Sequence, residues 1–179
     1  MPSNKARLYV ALYVRAGTAK MEGKEDTYHW AFLVGPKSDN NDARGVRYHA
    51  RDRATQGADS AWAFEEAKTS MTPTQMILVR VLIAKIEDTD KLAQLLRQIP
   101  IRQGQQGWNC VAWIKEALSQ LEMSKNILGT SVVGWVAVRD AAMTYCQRKR
   151  DQHRFDGTVQ FDTSRVPTFD LIQEKETIV

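Results

Sequence analysis

A chain of 179 residues is long enough for one domain with a sizeable core, and 43% hydrophobic and 26% charged residues are ordinary for a globular protein. The formal charge of +4 is too small and too dispersed along the chain to argue for a nucleic-acid binder. The only cysteines, Cys110 and Cys146, argue against a disulfide scaffold and for a reducing, cytoplasmic setting.

RLYVALYV, Arg7 to Val14, is rich in β-branched and aromatic residues and reads as the first strand. Its apolar run is flanked by Arg7 and Arg15, which suits a strand better than a signal peptide. After the loop AGTAKMEGKED, TYHWAFLV makes a second strand. The polar, turn-rich GPKSDNNDARG leads into a third, VRYHARD, so the pair forms a long-looped hairpin. AWAFEEAK, Ala61 to Lys68, reads as a fourth strand, and MILVRVLIAKI as a fifth with Ile77, Val79, Val81 and Ile83 along one face. Neither that run, cut by Arg80 and Lys85, nor the short SVVGWVAV suits a membrane span.

Helices follow. Asp88 or Thr89 caps DKLAQLLRQI, whose Leu92, Leu95, Leu96 and Ile99 share a face, and Pro100 ends it. The glycine-containing loop IRQGQQGW precedes NCVAWIKEALSQLEM. Asn109 is its N-cap, and Cys110, Ile114, Ala117, Leu118 and Leu121 form its inward stripe. A last helix is expected over roughly Val132 to Arg150, with Trp135, Val138, Ala142 and Tyr145 inward and Cys146 as packing. The expected fold is α+β, an antiparallel sheet of about five strands followed by a helical C-terminal half. One domain covers residues 1–155, and 156–179 read as an irregular tail.

Two histidines stand out. Strand alternation puts His29 on the face of Ala31 and Leu33, with Tyr28, Trp30 and Phe32 on the other. If the hairpin closes with Val34 opposite Val46, His49 is a diagonal neighbour of His29 on the same face, about 7 Å away. A one-residue slip would separate them, and either histidine alone also fits a satisfied polar residue. Cys110 follows Asn109 at the first helical position, where free backbone N–H groups and the helix dipole favour a thiolate. It points at the sheet, and the sheet carries His29. The same facts fit a small buried hydrophobe.

HWAFLVG, a loop, RYHA and a helix opening with NC occur in that order. In this they resemble the circularly permuted, NlpC-type branch of the papain-like superfamily, above all its lecithin:retinol acyltransferase-like group. The resemblance covers roughly residues 7–122. It implies a permuted papain-like fold, His29 as base, His49 as the residue that orients it, and Cys110 as a nucleophile that forms a thioester. Three departures stand beside it. Val111, Ala112 and Trp113 follow NC where that group has a Glu-His-Phe-like run. The connection between the histidines is longer. The polar ending ETIV stands where members often carry a membrane anchor. The PPPDE-type isopeptidases share the His-then-Cys order without the HWA and second-histidine pattern. The chain also resembles fungal proteins with HWAFLVGPK and WNCVAW motifs.

The function expected is therefore cysteine-dependent acyl transfer, by a thiol hydrolase or acyltransferase acting on a small acyl- or amide-bearing substrate. A PPPDE-type peptidase and a catalytically idle partner-binding scaffold stand as alternatives. The oxyanion donors expected are the Cys110 backbone N–H and one of Gln103, Gln105 and Gln106, where papain-like enzymes place a glutamine upstream of the cysteine. These glutamines equally fit a solvated loop. Trp108 and Trp113 flank the cysteine as pocket walls or as packing. No cofactor is expected and no metal, since three histidines and two cysteines lack a ligand spacing. The run QRKRDQHR offers peripheral contact to anionic lipid or phosphate, or simply complements a helix C-terminus and faces water.

Overall fold

The structure, a computed structural model, describes residues 5–37, 40, 42–53, 61–74 and 76–179. Five strands open the chain: β1 (Arg7–Val14), β2 (Tyr28–Gly35), β3 (Arg44–Arg53), β4 (Ala61–Ser70) and β5 (Ile77–Ile86). Helices α1 (Thr89–Gln98) and α2 (Cys110–Met123) follow, then β6 (Leu128–Ser131), α3 (Trp135–Asp151), β7 (Thr168–Asp170) and β8 (Lys175–Ile178). The sheet runs β4-β3-β2-β1-β5-β7-β8, with β6 also pairing β5. All these pairs are antiparallel except β5 with β7, so the sheet has eight strands and is mixed.

Alternation gives the sheet two different faces. Leu8, Val10, Leu12, Trp30, Phe32, Val79, Val81 and Ile83 form the floor of the main core, and residues of all three helices pack on it. Trp113 of α2 lies edge-on to Phe32 and tilted against Phe64, with ring centroids 5.9 Å from each. The opposite face carries a smaller cluster of Tyr9, Ala11, Tyr13, Ala31, Leu33, Met71 and Leu82. Ile77 belongs with that second face, because β1 and β5 shift register between Leu12 and Tyr13.

Both caps sit where the sequence puts them. Asp88 accepts from the Lys91 N–H at 2.9 Å, and Asn109 Oδ1 accepts from Val111 at 2.9 Å and Ala112 at 3.2 Å.

The larger departure is the tail. Residues expected to be irregular supply β7 and β8, and they join the sheet because buried polar groups reach for them. Arg80, 1% exposed, donates from Nε to Thr168 Oγ1 at 2.8 Å. Arg154 donates to the carbonyls of Asp162 and Arg165, which pins the connection from α3. Lys149 is fully buried and pairs with Glu176 at 2.5 Å, while the Tyr145 hydroxyl reaches the same carboxylate at 2.7 Å. Part of the basic run QRKRDQHR thus serves the interior: Lys149 and Arg154 are buried, and Arg150 donates to the Tyr28 hydroxyl at 2.8 Å. Cys146 is packing, fully buried against the same layer. Among the described residues no helix is long and apolar enough to cross a membrane.

Candidate active site

The site forms where β2 begins. Strands β2 and β3 pair only at Phe32–Tyr48, Leu33–Arg47 and Val34–Val46, in the register that the sequence reading assumed. Beyond Phe32 the two strands no longer pair, and among the described residues the start of β2 keeps β1 as its strand partner, with Tyr13 opposite His29. His29 and His49 bridge this gap. Their rings meet edge-on at 4.9 Å, and His29 Nε2 lies 2.6 Å from His49 Nδ1.

The chain of contacts continues into β4. His49 lies opposite Glu65 in the β3–β4 ladder, and His49 Nε2 is 3.0 Å from Glu65 Oε1. Two guanidinium groups hold that carboxylate as well. Arg51 Nη1 donates to Oε2 at 2.7 Å, and Arg47 Nη2 donates to Oε1 at 3.3 Å. Bonds from His49 and then Arg51 bring the Glu65 carboxyl down to about 2, so it is ionised at neutral pH.

Both imidazoles are neutral at that pH. Burial first, then the repulsion a second proton would meet from His49 and from the Arg15 and Arg47 guanidinium groups, takes His29 from 6.5 to about 3. Burial also lowers His49, against the opposing pull of its Glu65 bond.

Cys110 occupies the first position of α2 and is fully buried. Its surroundings are those of the helix-bearing face, shared with Trp30 and Phe32, whereas the His29 ring sits beside Tyr13 on the other face. The sulfur meets the backbone N–H of Trp30, the amide that directly follows His29. The peptide unit between His29 and Trp30 therefore carries the imidazole from its Cα and receives the sulfur at its N–H. Among the described residues no hydrogen bond joins Cys110 to either imidazole. Burial pushes the thiol up, and this outweighs the lowering by the Trp30, Val111 and Cys110 amides and by Arg15. The resting group is a neutral thiol.

The upstream glutamines go elsewhere. Gln103 clamps the edge of β4, accepting from the Trp62 N–H at 3.1 Å and donating to the Trp62 carbonyl. Gln105 and Gln106 are exposed. Gly104 and Gly107, at φ +70 and +76, make the turns that return the loop to Trp108. Trp108 packs edge-on to Trp62 at 5.6 Å, and its buried indole Nε1 has no hydrogen-bond partner among the described residues. No three His, Cys, Asp or Glu side chains gather as metal ligands among the described residues.

Glu65, Arg47 and Arg51 were not singled out from the sequence. Their signal was alternation: Arg47, His49 and Arg51 share one face of β3, while Tyr48 and Ala50 join the core. No curated protein and no solved structure matches the chain. Residues 5–178, nearly its whole length, match the model of a family of unknown function, DUF6914, and the chain belongs to that family.

Proposed function

We propose that this protein is a cysteine-dependent acyl-transfer enzyme, a thiol hydrolase or acyltransferase with Cys110 as nucleophile and His29 as base, on a permuted papain-like scaffold. The observation that carries the reading is the shared peptide unit. The Cys110 sulfur takes the amide of Trp30, and the imidazole one residue earlier is held by His49 at 2.6 Å. A hydrogen-bonded pair of a half-buried and a buried imidazole, backed by a carboxylate, is costly to build for packing alone.

In the proposed reaction His29 takes the thiol proton as the sulfur attacks a carbonyl carbon. The tetrahedral intermediate then collapses, its bond to the leaving oxygen or nitrogen breaks, and His29 returns the proton to that atom. Water or an acceptor hydroxyl or amine, deprotonated by His29, then adds to the thioester carbonyl; the C–S bond breaks and His29 returns the proton to the Cys110 sulfur. The Cys110 N–H and Trp108 Nε1, which has no partner among the described residues, are the donors assigned to the oxyanion. Because Cys110 is fully buried, substrate reaches it only as its cover moves. A cytoplasmic location belongs to the same proposal, as do small acyl- or amide-bearing substrates.

One specific observation favours a second reading, an idle scaffold that binds a partner: the His29 ring lies on the sheet face opposite the buried thiol, and among the described residues Cys110 makes no bond to an imidazole. A panel of short acyl esters, thioesters and peptide or isopeptide amides, followed by intact mass, separates these. Turnover of esters or thioesters through a covalent adduct on Cys110 is the expected result. Cleavage of amides alone would move the assignment to a PPPDE-type peptidase. No turnover and no adduct would leave the scaffold reading.

A further inference from the structure

We infer that Glu65 is a positioning residue that dictates, through His49, which nitrogen of His29 carries the proton. The catalytic consequence rests on the acyl-transfer reading, but the protonation pattern does not.

The argument is one of donors and acceptors. An ionised carboxylate only accepts hydrogen bonds. Glu65 Oε1 faces His49 Nε2 at 3.0 Å, so that nitrogen carries the hydrogen. His49 is neutral, and its Nδ1 is therefore the bare, accepting nitrogen. His29 Nε2 lies 2.6 Å from that Nδ1 and must be the donor. His29 is neutral too, which leaves Nδ1 as its bare nitrogen. In a histidine Nδ1 is the ring nitrogen nearer the backbone, and here that backbone leads directly to the amide that meets the Cys110 sulfur.

The reversed arrangement, with His49 bearing its hydrogen on Nδ1, would set a bare Nε2 against the carboxylate lone pairs. Arg51 at 2.7 Å and Arg47 at 3.3 Å keep the carboxylate charged and in place. The other charged or titratable groups facing the pair are Arg15 and Tyr13, and neither bonds to the imidazoles. Without Glu65, nothing in the cluster distinguishes the two directions of the His29–His49 bond, and the base would be split between both nitrogens.

The test is imidazole tautomer assignment by long-range proton–nitrogen correlation on the full chain at pH 8. The expected result is a single tautomer for both rings, Nε2–H on His29 and on His49. Glu65→Gln, whose amide oxygen still accepts, should retain it. Glu65→Leu should lose the single pattern at both histidines while Tyr13 and Trp30 amide signals stay in place. Nδ1–H on His29 in the unmodified protein would overturn the inference, a result that needs no variant to fold. A folded Glu65→Leu with both tautomers unchanged would also overturn it. The expected tautomers in a protein whose Cys110 never acylates would uphold this inference and count against the acyl-transfer reading alone.

Discussion

Acidification from pH 6.5 to pH 5 should cost the protein about 2 kcal/mol of stability through His29 alone. The sign follows from burial. His29 is held at about 3 in the folded chain against 6.5 when free, so between those values the unfolded chain binds the extra proton. Stability is then lost as the pH falls through that window, at up to about 1.4 kcal/mol per pH unit. His49, also lowered by burial, adds in the same direction. The carboxylates lowered in the folded state, Glu65 among them, enter mainly below about pH 5, as the free groups protonate. Urea unfolding at pH 7 and pH 5 should show the loss in the parent protein and a clearly smaller one in His29→Asn. Equal pH slopes in the two proteins would mean that the fold does not hold His29 as a neutral imidazole.

Trp113→Ala should be more damaging at neutral pH, at about 3–5 kcal/mol, enough to threaten folding of a domain with ordinary stability. Trp113 is fully buried and wedged against Phe32 and Phe64, so its removal leaves a cavity between α2 and two strands. Trp113→Phe should cost far less, within about 2 kcal/mol, because a ring still fills the space and the indole N–H, which has no partner among the described residues, is gone. The urea midpoints of the two variants are the measurement. A cost below about 1 kcal/mol for the alanine would contradict the docking of α2, and with it the placement of Cys110.

Local patterns carried much of this fold into view. The β-branched and aromatic richness of RLYVALYV, the Asn109 cap and the leucine spacing of α1 are signals of neighbouring residues, and each element formed where those signals stand. The β2–β3 register was readable as one choice among two, and the contact of His29 with His49 follows from it. The tail was not readable, because TFD and KETI are too short to show a period. They become strands only against Arg80, Lys149 and Tyr145, which lie far away in sequence. The parallel pairing of β7 with β5 has the same long-range origin.

At the site, residue types were legible and side-chain allegiances were not. Gln103 had the right position for an oxyanion donor, but the open edge of β4 offers it two backbone bonds at Trp62. Cys110 had the helix start that lowers a thiol, but full burial pulls harder the other way. Glu65 gave no signal in AWAFEEAK, since its role appears only once β4 lies beside β3.

The most direct measurement is intact-mass kinetics of acylation by p-nitrophenyl butyrate at neutral pH, with peptide mapping, on the parent protein, Cys110→Ala and His29→Ala. The expected result is a single butyryl group on Cys110, absent from Cys110→Ala and formed about a hundredfold or more slowly in His29→Ala, the scale of a lost general base. No adduct on Cys110, or one that forms equally fast without the His29 imidazole, would contradict a nucleophile served by that histidine.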